Sequence, residues 1–323
     1  MRWGVAVSIL AVLAALATPV QAQQYPSRPV TVVVPFAAGG GSDLLARLVT
    51  QRLEARLGKP FIIENRPGAG TTLAAMQVVR AAPDGYTLMQ GTSSTMAINV
   101  TMNKKLPYEP LKDLVPVALL SSSPFFLVVA ADSPLKTVAD VIAAAKAKPN
   151  GLNYGSGGPG SMHHLSTELL QSLAGIQMTH VPYKATPPAM TDLMAGHIQL
   201  LFGDTTSTLP MIQQGKLRGI AVTTARRSPA APDIPAVAET VPGFESASWQ
   251  MLLAPGGTPT EVIALLNREV HAIFSDPAVI AELTRRGVGP ALTGPAEEVT
   301  DFVKKEIVRW SDVVRRAGLE GSE

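Results

Sequence analysis

The 323-residue chain has no cysteine. That absence excludes a disulfide scaffold, thiolate zinc sites, iron–sulfur clusters and a cysteine nucleophile. Aromatic residues are scarce at 5%, and charged residues make up only 16%. Neither sign of charge dominates: 27 Lys and Arg face 25 Asp and Glu, for a formal charge of +2. A nucleic-acid partner is not expected, because no excess of cations exists to neutralise phosphates. After the N-terminal segment there is no apolar run long enough to cross a bilayer. What the chain has in abundance is aliphatic residues, glycine and proline. Hydrophobic residues reach 46%, with 27 Gly and 27 Pro, which suits a folded core with many turns.

The N-terminal run MRWGVAVSILAVLAALATPVQA reads as an export signal over residues 1–22. Arg2 supplies the positive start, Trp3 to Ala17 the apolar stretch, and Pro19 with Val20-Gln21-Ala22 a break and small-residue cleavage site. A retained membrane anchor is the other reading; it needs about 20 apolar residues, and this run is shorter. Cleavage near Ala22 would remove Arg2 and leave the charge near zero. The chain is therefore expected to be exported.

Along the remaining chain, short β-branched or apolar runs alternate with helical patterns. Strands are expected at Val30–Val34, Phe61–Ile63, Tyr86–Met89, Val115–Leu120, Phe125–Ala130, Leu152–Tyr154, Met178–Val181, Ile198–Phe202, Gly219–Thr223 and Trp249–Leu253. Helices are expected at Ser42–Leu57, Thr71–Ala82, Val138–Ala147, Ser161–Ala174, Pro187–Ala195, Thr205–Gln214, Pro259–Phe274, Pro277–Gly287 and Pro295–Ala317. In the first helix Leu44, Leu45, Leu48, Leu53 and Leu57 are expected on one face, with Gly58 as the stop. This alternation predicts an α/β fold with mostly parallel sheets flanked by helices, and the strand number favours two sheets. The Pro-rich stretch Ser228–Pro242 is expected as a surface loop. No long linker separates two halves, so the chain is expected to cross between lobes more than once.

Two strand–Gly–helix turns stand out: Pro35–Asp43 and Gly155–Ser161. Ligands bind beyond the carboxyl ends of strands in such sheets, and helix N-termini favour anions. Each turn alone also fits a plain βα connection. Gly155, Gly157 and Gly160 match the spacing of a dinucleotide fingerprint, but no acidic residue follows about 20 positions later, so a nucleotide is not expected. A phosphate loop is absent. Asp43 reads as a cap paired with Arg47 four residues on. Asp204, after an apolar strand, fits a helix cap and a ligand contact equally. The five histidines lack metal-ligand spacing, and His163-His164 reads as a structural pair, with His164 also placed to donate to a ligand. No Gly-x-Ser-x-Gly elbow or acid–base pair supports a hydrolase. No cofactor is expected. Phe36, Tyr183 and Trp249 are candidate pocket walls.

An ordered series of motifs spans nearly the whole chain after the leader. It comprises Tyr25–Pro29, Val34–Asp43 with Ala46-Arg47, Glu64–Gly70, Ala82–Leu88, Leu106–Tyr108, Tyr154–Gly157 with His164-Leu165, His180–Lys184, Gly215–Arg218 and Pro232–Pro235. Together they resemble the substrate-binding receptors of tripartite tricarboxylate transporters, the Bug receptors. The resemblance implies a two-lobed periplasmic-binding-protein fold, type II-like, that closes on a small carboxylate in a cleft between the lobes: a di- or tricarboxylate, an aromatic acid, or one of some amino acids and amides. It implies a discontinuous first lobe, 23–124 plus 248–323, and a second lobe at 125–247. It implies membrane subunits of a tripartite transporter as partners, with the receptor itself a monomer. Carried onto this chain, Phe36, Ala37, Ala38, Gly39, Gly40, Thr71, Thr72, Gly91, Thr92, Ser93 and Ser94 would line the first lobe. Ser156, Gly158, Gly160, Ser161, His164, Lys184 and Asp204 would line the second. Ala37-Ala38 stand where the family commonly has proline, and Thr71-Thr72-Leu73 replaces a usual Gly-Asn-Ile, so the ligand's identity does not carry over. A receptor that signals instead of feeding a transporter would have the same site.

Overall fold

The computed structural model describes residues 25–36, 38–39, 41–183, 186–285, 288 and 294–322. The expected export signal lies outside them. No described helix is long and apolar enough to cross a membrane.

The β-branched run Val30–Val34 forms β1, and the chain then turns into helix α1, Gly41–Leu57. Gly58 ends that helix with φ at +70°, a conformation that suits glycine. One residue departs from the expected face: Leu45, Leu48 and Leu53 are buried, but Leu44 is 44% exposed. It lies a helical step of about 100° away from Leu45, which carries it out of the stripe. β2 (Phe61–Asn65), α2 (Thr72–Val79) and β3 (Thr87–Thr92) follow, then a π-helical turn at Ser94–Ile98 that runs into α3 (Asn99–Met102). β4 (Leu114–Ser123) completes this part. Its sheet has the order β2-β1-β3-β10-β4.

The second sheet has the order β7-β6-β8-β5-β9. Its strands are β5 (Phe125–Ala130), β6 (Asn153–Ser156), β7 (Thr179–Pro182), β8 (Leu200–Asp204) and β9 (Leu217–Val222). Between them lie α4 (Val138–Ala147), α5 (Met162–Ala174), α6 (Thr186–Met194) and α7 (Thr205–Gln213). α4 starts on a reciprocal capping box between Thr137 and Asp140. The chain then returns through β10 (Ser248–Pro255), which inserts between β3 and β4 of the first sheet, and ends in α8 (Thr260–Phe274), α9 (Pro277–Arg285) and α10 (Ala296–Arg316).

In each sheet one strand is reversed. β10 runs antiparallel to β3 and β4, and β5 antiparallel to β8 and β9, while the other pairings are parallel. The remaining four strands of each sheet therefore point the same way, as a mostly parallel sheet should. The reversed strands are the ones that enter each lobe directly from the other. β10 is buried on both faces for most of its length, as a central strand must be.

The two crossings lie side by side. Phe125 N–H donates to Thr223 Oγ1 at 2.8 Å, and Thr223 N–H returns a bond to Phe125 O at 3.0 Å. Ser123 and Ser248 are register partners across β4 and β10. The Pro-rich stretch differs from the expected surface loop. Ala236, Val237 and Val241 are buried, and Val222 N–H bonds Pro235 O at 2.8 Å. Alternation within the segment let prolines mark its turns while its aliphatic residues covered the edge of β9.

Candidate functional site

The carboxyl ends of β1 and β3 in one lobe face those of β6 and β8 in the other. The turns the sequence singled out follow β1 in one lobe and β6 in the other, and the way each turn satisfies its own polar groups decides what it offers a ligand.

In the first turn Asp43 is 1% exposed. Its Oδ2 accepts Gly39 N–H at 2.9 Å and Arg47 Nε at 2.8 Å; its Oδ1 accepts Asn65 Nδ2 at 3.0 Å. Arg47 lies on the same helix face four residues on, so the expected pair forms. The Arg47 hydrogen bond, aided by Gly39 and Asn65, holds the carboxyl down to about 2 against the opposing effect of burial. The amide of Gly39 is thereby spent inside the turn. Phe36 is 39% exposed, and its carbonyl accepts a second bond from Asn65 Nδ2 at 2.9 Å. Ala38 and Gly39 are exposed. Ala37 and Gly40 lie outside the described residues.

Behind this turn is a knot of buried hydroxyls. Thr71 adopts a left-handed φ of +81°, which costs energy for a β-branched residue. Thr95 Oγ1 donates to Thr71 Oγ1 at 3.0 Å and lies 3.3 Å from Thr92 Oγ1. Thr71, Thr92 and Ser93 are buried, so their side chains serve the fold where the sequence reading put them in the pocket wall. Thr72 Oγ1 is buried without a hydrogen-bond partner, and Ser94 opens the π-helical turn. At Gly91 an added Cβ would fall 2.2 Å from Leu253 Cδ1; its glycine is required by the packing of β10.

The second turn is also self-bonded. Gly158 N–H donates to Ser156 Oγ at 3.0 Å, Gly160 N–H to His164 Nδ1 at 3.1 Å, and Ser161 Oγ to Gly158 O at 2.7 Å. Ser156 Oγ lies 2.6 Å from His180 Nε2 but is 2% exposed. The rings of His164 and His180 stack at 3.9 Å, almost parallel. Burial, with the neighbouring His180, lowers His164 to about 4, and burial lowers His180 as well. His164 therefore braces the turn from within instead of reaching a ligand. The signal that would have shown this is His180, at the other end of the His164 stack. Gly160 approaches the first lobe: an added Cβ would lie 2.3 Å from Met102 Cε. Lys184 lies outside the described residues.

Between the lobes is a cavity of about 280 Å³. It is lined by Ser42 and Leu45 of α1, by Ser123, Pro124 and Phe125 at one crossing, by Ser248 and Gln250 at the other, by Asp204, Thr205 and Thr206 at the end of β8, and by Val288. Asp204 makes no side-chain cap bond to α7. Its Oδ1 lies 3.0 Å from His163 Nε2, and its Oδ2 accepts Thr186 Oγ1 at 2.6 Å. Burial works to raise its pKa, but the hydrogen bonds from His163 and Thr186 outweigh it and hold the carboxyl below its usual range. Thr205 Oγ1 donates to Pro124 O at 2.7 Å, which ties the start of α7 to the crossing.

Of the described residues expected at the site, Asp204 is the one in the cavity wall, and Ser42 at the end of the first turn lines it too. Ser42, Ser123, Thr205, Thr206, Ser248, Gln250 and the positioning His163 were not anticipated. Their signal was the hydroxyl-rich run Ser121–Ser123 before Pro124, and Ser248 at the return crossing. Trp249 is 1% exposed and Tyr183 is half-buried; neither lines this cavity. Trp249 donates its indole N–H to Glu306 Oε2 at 2.8 Å. Among the described residues no cluster of His, Asp and Glu is arranged to hold a metal.

Comparison with known proteins agrees with this architecture. Residues 45–319 match the model of the tripartite tricarboxylate transporter family receptor. Protein BugT of Bordetella pertussis is 34% identical over 316 residues, covering 97% of each chain. A structure of R. palustris Rpa4515 with adipate superposes with a TM-score of 0.79 at 38% identity, covering 91% of this chain and 98% of that one. MatC of Rhodopseudomonas palustris with bound malate gives 0.74 at 37%, covering 90% and 100%. Family and fold thus coincide: this chain belongs to the receptors of the tripartite tricarboxylate transporter family.

Proposed function

We propose that the protein is an exported solute-binding receptor that captures a small organic carboxylate between its lobes and delivers it to the membrane subunits of a tripartite transporter. The observation that carries this reading is the cavity of about 280 Å³ between the carboxyl ends of two sheets, lined mainly by hydroxyl, amide and apolar groups. Its size sits at the small end of ligand pockets. The relatives with adipate and malate support a carboxylate as cargo. The leader at residues 1–22 supports export to the periplasm with cleavage near Ala22, and a monomer suffices for a site built from one chain.

Lobe 1 comprises 23–124 plus 248–323, and lobe 2 comprises 125–247. They close by rotation about the paired crossings at Pro124 and near Thr223–Ser248. Main-chain groups of the first turn and of Gly158–Ser161 flank the closed cleft, with Ser42, Ser123, Ser248 and Gln250 as its floor. A thermal-shift screen of dicarboxylates, tricarboxylates, aromatic acids and amino acids tests the reading. A ligand at about 100 times its Kd raises stability by about 2.7 kcal/mol. Silence across the whole screen would refute carboxylate capture.

A further inference from the structure

Asp204 is held in place by two neighbours and left half open. His163 Nε2 sits at 3.0 Å from one carboxylate oxygen and Thr186 Oγ1 at 2.6 Å from the other, so the side chain has one orientation, with nearly half its surface, 46%, left open. His163 packs edge-on against Phe125 at 4.8 Å, and its Nδ1 is buried with no hydrogen-bond partner. The hydrogen bonds from His163 and Thr186 hold the Asp204 carboxyl below its usual range, so it is an ionised acceptor at neutral pH. Each of its oxygens has spent one acceptor position and retains another.

The rest of the described cavity wall is uncharged. Ser42, Ser123, Thr205, Thr206, Ser248 and Gln250 are its other polar members, and Asp204 is the one charged side chain among the described lining residues. A second carboxylate on the ligand, placed beside Asp204, would meet like charge in a partly desolvated site. An N–H donor in that place would complete the open acceptor positions.

We propose that Asp204 sets the ligand class: a small carboxylate that carries an ammonium or amide N–H at its far end, bound against Asp204 in preference to a dicarboxylate. The inference rests on the reading of this chain as a carboxylate receptor. It sets the protein apart from relatives solved with adipate and malate. Thr186 and His163 are positioning residues for the carboxylate.

Isothermal titration at pH 7.5 with glutarate, its monoamide and 5-aminopentanoate tests it, since the three share one chain length and differ at one end. The wild-type protein is expected to bind the monoamide or the amine at least tenfold more tightly than glutarate. Asp204→Asn removes the charge at constant shape; it should shrink that ratio tenfold or more by weakening the amine and strengthening glutarate. Thr186→Val keeps the charge and frees the carboxylate; it should weaken binding while preserving the order. Preference of the wild type for glutarate, or an unchanged ratio in Asp204→Asn, overturns the inference and leaves the receptor reading intact. Failure of every acid in the broad screen overturns both. The wild-type ranking decides the matter even if Asp204→Asn does not fold.

Discussion

The carboxylate of Asp43 accepts the backbone amide of Gly39 at 2.9 Å. This one bond closes the first Gly-rich turn on the helix it opens. Arg47 and Asn65 hold the same carboxylate, so the turn, β2 and α1 share a buried charged centre. The glycine itself has a φ of +88° and open space where a Cβ would stand. Its conformation, and not crowding, is what requires glycine there.

Asp43→Asn is expected to loosen that turn. The neutral side chain weakens the bonds to Gly39, Asn65 and Arg47, but the Arg47 head stays solvated at 56% exposure, so a loss of about 1–3 kcal/mol is expected. The acid limb of stability should change too. Asp43 titrates at about 2 in the folded protein, below its ordinary 3.8, so the native state resists protonation longer than the unfolded chain. Its contribution is complete above about pH 4 and disappears as pH falls through 2. Urea denaturation between pH 2 and 7 should show that acid loss in the wild type and a flatter curve in Asp43→Asn. Equal slopes in the two proteins would count against the centre.

His164 makes a second pH prediction in a higher window. Its folded value is about 4 against an ordinary 6.5, so between these values the unfolded chain takes up a proton that the folded chain refuses. Stability should fall as pH drops from 6.5 to 4, by up to about 1.4 kcal/mol per pH unit for one such group. His180 is lowered in the same direction and stacked on it, so the two add. His164→Phe keeps a ring in the stack, removes the acceptor for Gly160 N–H, and should reduce the slope by one proton. The test is denaturant midpoints at half-unit pH steps; a slope unchanged by the substitution would assign the effect to other groups.

Much of this architecture was legible in the chain. β-branched runs marked β1 and β5, Gly58 marked the end of α1, and the strand–Gly–helix pattern marked the turns that follow β1 and β6. Asp43 with Arg47 was readable from spacing alone. The cavity's inner wall was not, because it is built where the chain crosses between lobes. Nothing local in Ser123 or Ser248 reveals that they become neighbours across β4 and β10. His164 misled for a related reason: its partners Tyr154 and His180 lie on two other elements, and only their stacking shows that the ring faces inward. Thr92 and Ser93 look like pocket hydroxyls in sequence, yet both are buried, Thr92 beside Thr95 of the π-helical turn that follows.

Gly160 tests the contact between lobes. It has a φ of +68°, and a Cβ there would lie 2.3 Å from Met102 Cε and 2.5 Å from its sulfur. Gly160→Ala therefore carries two costs, one conformational and one steric. The first is about 1 kcal/mol and stays with the backbone. The second falls on the far end of a flexible side chain, so Met102→Ala should remove it. A double-mutant cycle by chemical denaturation is expected to show a coupling of about 0.5–2 kcal/mol between the two positions. Zero coupling would mean that the second turn and α3 do not meet in solution.

Glu306 links the return crossing to the last helix. Its Oε2 accepts the indole N–H of Trp249 on β10 and of Trp310 on α10, both at 2.8 Å. Trp249 follows Ser248 at the edge of the cleft, so movement about the crossings should alter the surroundings of its ring. The chain has three tryptophans; in protein prepared without residues 1–22, which include Trp3, the tryptophan fluorescence comes from this pair alone. Addition of a ligand that closes the lobes should shift the emission, and Trp310→Phe should retain that shift while Trp249→Phe loses it. Glu306→Ala leaves two buried donors unpaired and should cost about 2–5 kcal/mol, whereas Glu306→Gln keeps an acceptor oxygen and should cost less. A ligand-dependent signal that survives Trp249→Phe would place the moving joint away from β10, and with it the axis of closure.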